Sequence, residues 1–206
     1  MTPEEFAEYL ALGYEGQGFE FKGAASRADA AFLAQVTRAA LGMANHRGGG
    51  LILIGVDEAA AHQLIPTGLT DEQRDSWNYD DVAAGFAAAA DPRLAFDHEV
   101  VSYQGKEFVV LTVHEFDTIP VLCRAYFRSR DGSQTLRNGA LYVRSRGKPE
   151  TSEVPTQTEM REVLDLAIDK GLQAFLARVE RAGLQLPLAQ GSQADPFARE
   201  LEEPDA

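Results

Sequence analysis

Three carboxylates have types and spacing that permit chemistry. Glu15 and Glu20 bracket the string Glu15-Gly16-Gln17-Gly18-Phe19-Glu20-Phe21-Lys22, and Asp57 closes the apolar run Leu51-Ile52-Leu53-Ile54-Gly55-Val56-Asp57. They can meet only if the two segments are neighbouring strands. Once together, they repel one another and need a compensating cation, for which a divalent metal is the usual choice. Lys22 shares the Glu20 face of its strand, where it can hold a phosphate oxygen as a point charge or simply pair with Glu20. Each residue also has a plain reading. Glu15 is solvated in a glycine-rich loop, and Asp57 is a turn residue at a strand end.

The surrounding elements decide between these readings. Thr2-Pro3-Glu4-Glu5 is a capping box with proline at the first helical position, predicting a short helix to about Leu12 that Gly13, Gly16 and Gly18 break. Phe19 and Phe21 alternate with Glu20 and Lys22, as in a strand with one buried face. Ser26 is placed to cap a second helix to about Ala44, with Phe32, Val36, Ala39, Ala40 and Met43 at helical spacing. Asn45 to Gly50 stops it, and Leu51 to Val56 reads as a central strand, apolar on both faces.

Further on, a helix is expected from about Asp80 to Ala90, ended by Pro92. A hairpin follows, from His98 to Tyr103 and from Glu107 to Phe116 around Gln104-Gly105-Lys106. Arg124 to Arg130 and Ala140 to Arg146 form a second expected hairpin. One helix is expected from Thr156 to about Asp169 and another from Leu172 to Ala182. The element order predicts an α/β fold, a mixed β-sheet with flanking helices. The expected division is a domain over residues 1–170, a C-terminal helix over 171–186 and an acidic, loose tail over 187–206.

Composition narrows the function classes. The chain has 206 residues and is 45% hydrophobic, enough for a core. No apolar run approaches the roughly 20 residues of a membrane span, and Met1-Thr2-Pro3-Glu4-Glu5 lacks the order of a signal peptide. Cys123 is the only cysteine, so there is neither a disulfide framework nor a cysteine-based zinc site. A cytoplasmic protein without a membrane partner is the expectation. The formal charge of -13 argues against a nucleic-acid partner. Its distribution argues the other way, because Arg124, Arg128, Arg130, Arg137, Arg144, Arg146 and Lys148 are opposed locally only by Asp131. That run is either a solvated hairpin offsetting the acidic remainder or a phosphate-binding face.

Taken in order, Glu15-x4-Glu20-Phe21-Lys22, Ala44-Asn45-x2-Gly48-Gly49, the strand ending Ile54-Gly55-Val56-Asp57, and Leu141-Tyr142-Val143-Arg144-Ser145-Arg146 followed by a helix near Glu159 resemble the Schlafen AlbA-2 domain family. The resemblance covers roughly residues 10–170 and implies a single lobe of that fold. It further implies a metal-dependent endoribonuclease acting on tRNA-like or other structured RNA, in stress or phage defence. Glu15, Glu20 and Asp57 would be the catalytic and metal-ligating triad on Mg2+ or Mn2+. Lys22, Arg128, Arg130, Arg144 and Arg146 would grip the phosphate backbone, and a homodimer would replace the second lobe of vertebrate members. His46 stands where the family often has threonine. The cysteine and histidine cluster and the helicase portion of longer members have no counterpart in these residues. Gly48-Gly49-Gly50 lacks the order that specifies a nucleotide site. Two other classes fit the same sequence: a non-catalytic module that binds DNA or RNA or is regulatory, nucleotide binding included, and a scaffold subunit with a degenerate site.

Overall fold

A computed structural model describes residues 1–58, 63–130, 132–145 and 149–184. The first elements are α1 (Pro3–Leu12), β1 (Phe19–Lys22), α2 (Ala30–Ala44), β2 (Gly50–Ile54), β3 (Val56–Glu58) and β4 (Leu64–Pro66). There follow α3 (Asp71–Ser76), α4 (Tyr79–Ala89), β5 (Ala90–Asp91), β6 (Phe96–Tyr103) and β7 (Lys106–Val113). The chain continues through β8 (Leu122–Cys123), β9 (Phe127–Arg128), β10 (Gln134–Leu136), β11 (Tyr142–Arg144), β12 (Thr151–Glu153) and α5 (Gln157–Arg181). It divides into two compact units, Met1–Lys170 and Gly171–Ala206.

The first unit is built on a mixed four-stranded sheet in the order β1-β2-β7-β6. β1 runs parallel to β2 with α2 as the crossover, and β2 and β6 both run antiparallel to β7. Each face of this sheet carries its own core. On one side Phe6 of α1 packs with Phe21, Leu53, Val101, Phe108 and Val110. On the other, α2 packs with Ile52, Ile54, Val109, Leu111, Trp77, Phe86, Tyr142 and Val143. β2 therefore reads as an unbroken apolar run because both of its faces are covered.

The capping box at Thr2 forms as the sequence predicts, and Gly13 ends α1 in the left-handed region. α2 starts later than expected. Asp29, not Ser26, is its N-cap, since the Asp29 carboxylate accepts from both Ala31 N and Phe32 N. After α2, Gly49 has φ +71, and a Cβ there would stand 2.1 Å from the Val113 carbonyl oxygen. Only glycine lets the turn before β2 pass that close to β7.

The two arginine-rich segments do not pair with each other as the sequence suggested. β9 pairs with β10 around Gly132, while β11 pairs with β12 and β8 with β5. The Gly132 turn thus closes its own short ladder, while Gly139, between β10 and β11, donates its N–H to Cys123 O instead of closing a hairpin. The expected break between the last two helices is also missing. α5 is continuous through Gly171, whose cost in a helix interior is only about 1 kcal/mol.

In the second unit the described residues are the end of α5 and its closing turn, where Gly183 N donates to Glu180 O and Leu184 N to Val179 O. Leu172, Phe175 and Leu176 are exposed there. The expected tail at 187–206 lies outside the described residues. No described helix is long and apolar enough to cross a membrane.

Candidate functional site

β1 is the outer strand of its sheet, so one row of its backbone groups has no strand partner. Its residues pair in register with β2, Glu20 opposite Ile52 and Lys22 opposite Ile54. Glu20 and Lys22 therefore face the α2 side, while Phe19 and Phe21 face the α1 side. Glu15 closes the open edge from the preceding loop, where its Oε1 accepts from Phe21 N at 3.0 Å.

Glu20 is buried and engaged at both oxygens. Oε1 pairs with Lys22 Nζ and Oε2 with Arg144 Nη1, both at close range. Arg144 comes from β11, more than a hundred residues away, and its side chain has no exposed surface. Its Nε donates to Gln17 O at 3.0 Å, and its Nη2 to Gly16 O at 2.8 Å and Pro149 O at 2.9 Å. Nη1 reaches Thr151 Oγ1 as well, at 3.2 Å. Arg144 thus binds the loop carrying Glu15 to the β11–β12 ladder. Expected on the RNA backbone, it is instead consumed by the fold, with every guanidinium nitrogen already donating.

Burial first, and then the charge of Glu20, push the Glu15 carboxyl above its ordinary range, while the Phe21 N–H, Lys22 and Arg144 oppose the shift. The repulsion inferred from sequence between the first two carboxylates therefore exists, and the cations that answer it are Lys22 and Arg144. Asp57 lies on β3, which continues from β2 after the turn at Gly55. Its Oδ1 accepts from Ala24 N at 3.3 Å. A Cβ on Gly23 would sit 2.4 Å from that oxygen, so a glycine there makes room for the carboxylate. Asp57 holds the turn after β1, whereas Glu15 and Glu20 lie before it and along it.

A cleft of about 690 Å3 opens at this edge, lined by Tyr14, Glu15, Lys22, Gln35, Glu58 and Glu150 among others. Glu150 had no signal in the sequence, since only the β11–β12 ladder brings it to the N-terminal loop. Among the described residues no three His, Cys, Asp or Glu side chains are grouped so as to hold a metal. With both Glu20 oxygens held by protein cations, this arrangement does not fit a divalent ion. His46 lies apart, its Nδ1 3.2 Å from Gly49 O at the end of α2, beside a smaller cavity of about 300 Å3.

The other basic residues separate by environment. Arg137 pairs with Glu153 through two nitrogens. Arg124, Arg128 and Arg130 are exposed, and Arg146 and Lys148 lie outside the described residues.

A model of the family described as Schlafen, AlbA_2 matches residues 15–152 of this chain. A search of curated proteins found no match. Among solved structures, the chain is similar to the N-terminal domain of an "ATP-dependent DNA Helicase RecG-related Protein" from Nitrosomonas europaea. That likeness has 22% identity and a TM-score of 0.47, and covers 61% of this chain and 82% of that one. A protein of Corynebacterium diphtheriae shows 14% identity and a TM-score of 0.45, with 72% of this chain and 25% of that chain covered.

Proposed function

Because the chain belongs to the Schlafen AlbA_2 family, whose members point to nucleic-acid-related work, we propose that it is a nucleic-acid-binding module. The observation that carries this reading is the segment with Arg124, Arg128 and Arg130. In a chain of net charge -13, these three exposed arginines have no carboxylate partner among the described residues. Arg27, Arg47, Arg74, Arg137 and Arg144 all have one, and the other exposed arginines without one, Arg93, Arg161, Arg178 and Arg181, are not gathered on one such segment. Cations left unpaired within an acidic protein are available to phosphate, which guanidinium groups match in a bidentate fashion.

A second reading, an endoribonuclease using Glu15, Glu20 and Asp57 on tRNA-like RNA, is favoured by one feature. Glu15 is a carboxyl shifted upward by burial and a neighbouring charge, and it opens on a cleft. Its form dependent on Mg2+ or Mn2+ would need Glu20 to exchange Lys22 or Arg144 for the ion. A homodimer through the exposed Leu172, Phe175 and Leu176 belongs to either reading.

One experiment serves both. The full chain is mixed with tRNA in Mg2+, Mn2+ or EDTA, and binding and cleavage are followed from 50 to 200 mM salt. Two or three phosphate contacts predict a slope of about -2 to -3 in log K against log salt. Binding that ignores salt would remove the nucleic-acid reading. Cleavage that needs a divalent ion and disappears in Glu20→Gln and Asp57→Asn would establish the enzyme. RNA left intact under every condition would leave the binding module alone.

A further inference from the structure

Between Arg124 and Arg130 the chain alternates strictly. Arg124, Tyr126, Arg128 and Arg130 are exposed, while Ala125, Phe127 and Ser129 are partly buried. Ala125 and Phe127 pack against the larger core, and β9 is tied to β10, with Arg128 opposite Gln134 and Phe127 opposite Leu136. From Arg124 to Arg128 the outward row is therefore fixed by the inward one, its side chains roughly 6.5 Å apart where the backbone is extended, and Arg130 follows in the turn where Gly132 N donates to Ser129 O.

Tyr126 is the unexpected member of this row. It is 62% exposed, it makes no ring contact with another aromatic side chain, and its hydroxyl has no hydrogen-bond partner among the described residues. A large aromatic surface held between cations on a core-anchored segment is poorly explained by stability. Among the described residues, no hydrogen bond, ion pair or aromatic contact engages the ring or the three guanidinium groups.

We propose that the Arg124-Tyr126-Arg128-Arg130 row is a binding strip for single-stranded nucleic acid, with the arginines on successive phosphates and the Tyr126 ring stacked on an unpaired base. The inference rests on the nucleic-acid reading above and narrows it to one class of strand. Stacking on a side chain requires a base whose face is free, which a duplex does not offer to a flat, exposed row. Mixed aromatic and basic surfaces suit single strands of any sequence, because every base has a π-face. A row of this length spans only a few nucleotides, and it selects the strand state rather than a sequence.

The test uses the full chain and fluorescent 12-mers of oligo-U and oligo-dT, with a 12-base-pair duplex for comparison. Single strands should bind at least tenfold more tightly than the duplex. Tyr126→Ala should weaken single-strand binding by about 5- to 150-fold, the range for loss of one base stack, and leave duplex binding unchanged. Tyr126→Phe should bind like the parent chain. Arg128→Ala should lower the salt slope by about 1 on every probe. All four positions are exposed, so these variants keep the fold, and their far-UV spectra and melting points should show it. If Tyr126→Ala binds single strands as well as the parent chain, or the duplex binds equally tightly, the single-strand inference falls. When Arg128→Ala still weakens binding in that case, the broader nucleic-acid reading survives. No salt-sensitive binding to any probe overturns both.

Discussion

At the scale of single residues, Glu20 changes meaning between sequence and structure. By spacing it is one of three ligands awaiting a cation; in the fold its cations are already present. Arg144→Ala would leave that buried carboxylate with Lys22 as its one remaining cation and release the loop at Gly16 and Gln17. Breaking one side of a buried pair costs about 3–5 kcal/mol, so urea unfolding should show a loss of that order, and a loss below about 1 kcal/mol would refute the clamp. Glu15 offers a second test through pH. Its carboxyl is raised above the ordinary value of 4.5 by burial and by Glu20. The folded chain therefore holds this proton more tightly than the unfolded one. The stabilisation that results is complete below the ordinary value and is lost as pH rises through the folded value. Glu15→Gln retains an acceptor for Phe21 N and carries no charge. It should melt above the parent at pH 7, and the difference should close towards pH 4. A difference independent of pH would show that the charge of Glu15 is not its cause.

At the scale of elements, Asn45 joins parts that are far apart in the chain. Its Nδ2 lies 3.1 Å from Leu41 O, 2.8 Å from Val121 O and 2.9 Å from Tyr142 O, and its Oδ1 accepts from Val121 N at 2.8 Å. It thus ends α2 and ties β11 and Val121, the residue just before β8, to that end. Asn45→Ala leaves several buried backbone groups unpaired, for an expected loss of about 2–4 kcal/mol in chemical denaturation. An Asn45→Ala chain as stable as the parent would mean that water replaces the amide. The sequence marked this asparagine as part of a helix stop and of the family resemblance, not as a tie between distant segments. The elements themselves were more legible: the Thr2 capping box, the period-two pattern of β1 and the apolar run of β2 each state a local preference that the fold keeps. Legibility failed where a choice of partner was involved. Ser26 and Asp29 are both good caps, and the competition went to the carboxylate that reaches two N–H groups. The segments around β9 and β11 both look like strands, yet no local rule says that they pair with β10 and β12 instead of each other.

At the scale of the molecule, a net charge of -13 and a local excess of arginine coexist because the fold sorts the cations. Some are spent internally, with Arg144 buried and Arg137 on Glu153, and others are left facing solvent at Arg124, Arg128 and Arg130. Sequence counts all of them alike. The single-strand inference turns on this sorting, since only the exposed, unpaired members can meet phosphate. Periodicity and capping by themselves determined the α/β class, the β1-α2-β2 opening and the shared face of Glu20 and Lys22, because those are properties of residues close in the chain. The tertiary structure alone decided that Arg144 pairs with Glu20, that Asp57 serves the Gly23 turn, and that Glu150 lines the cleft with Glu15. Each of those outcomes depends on contacts across tens to more than a hundred residues. Such contacts are set by how two cores pack on opposite faces of one sheet, which no local pattern encodes.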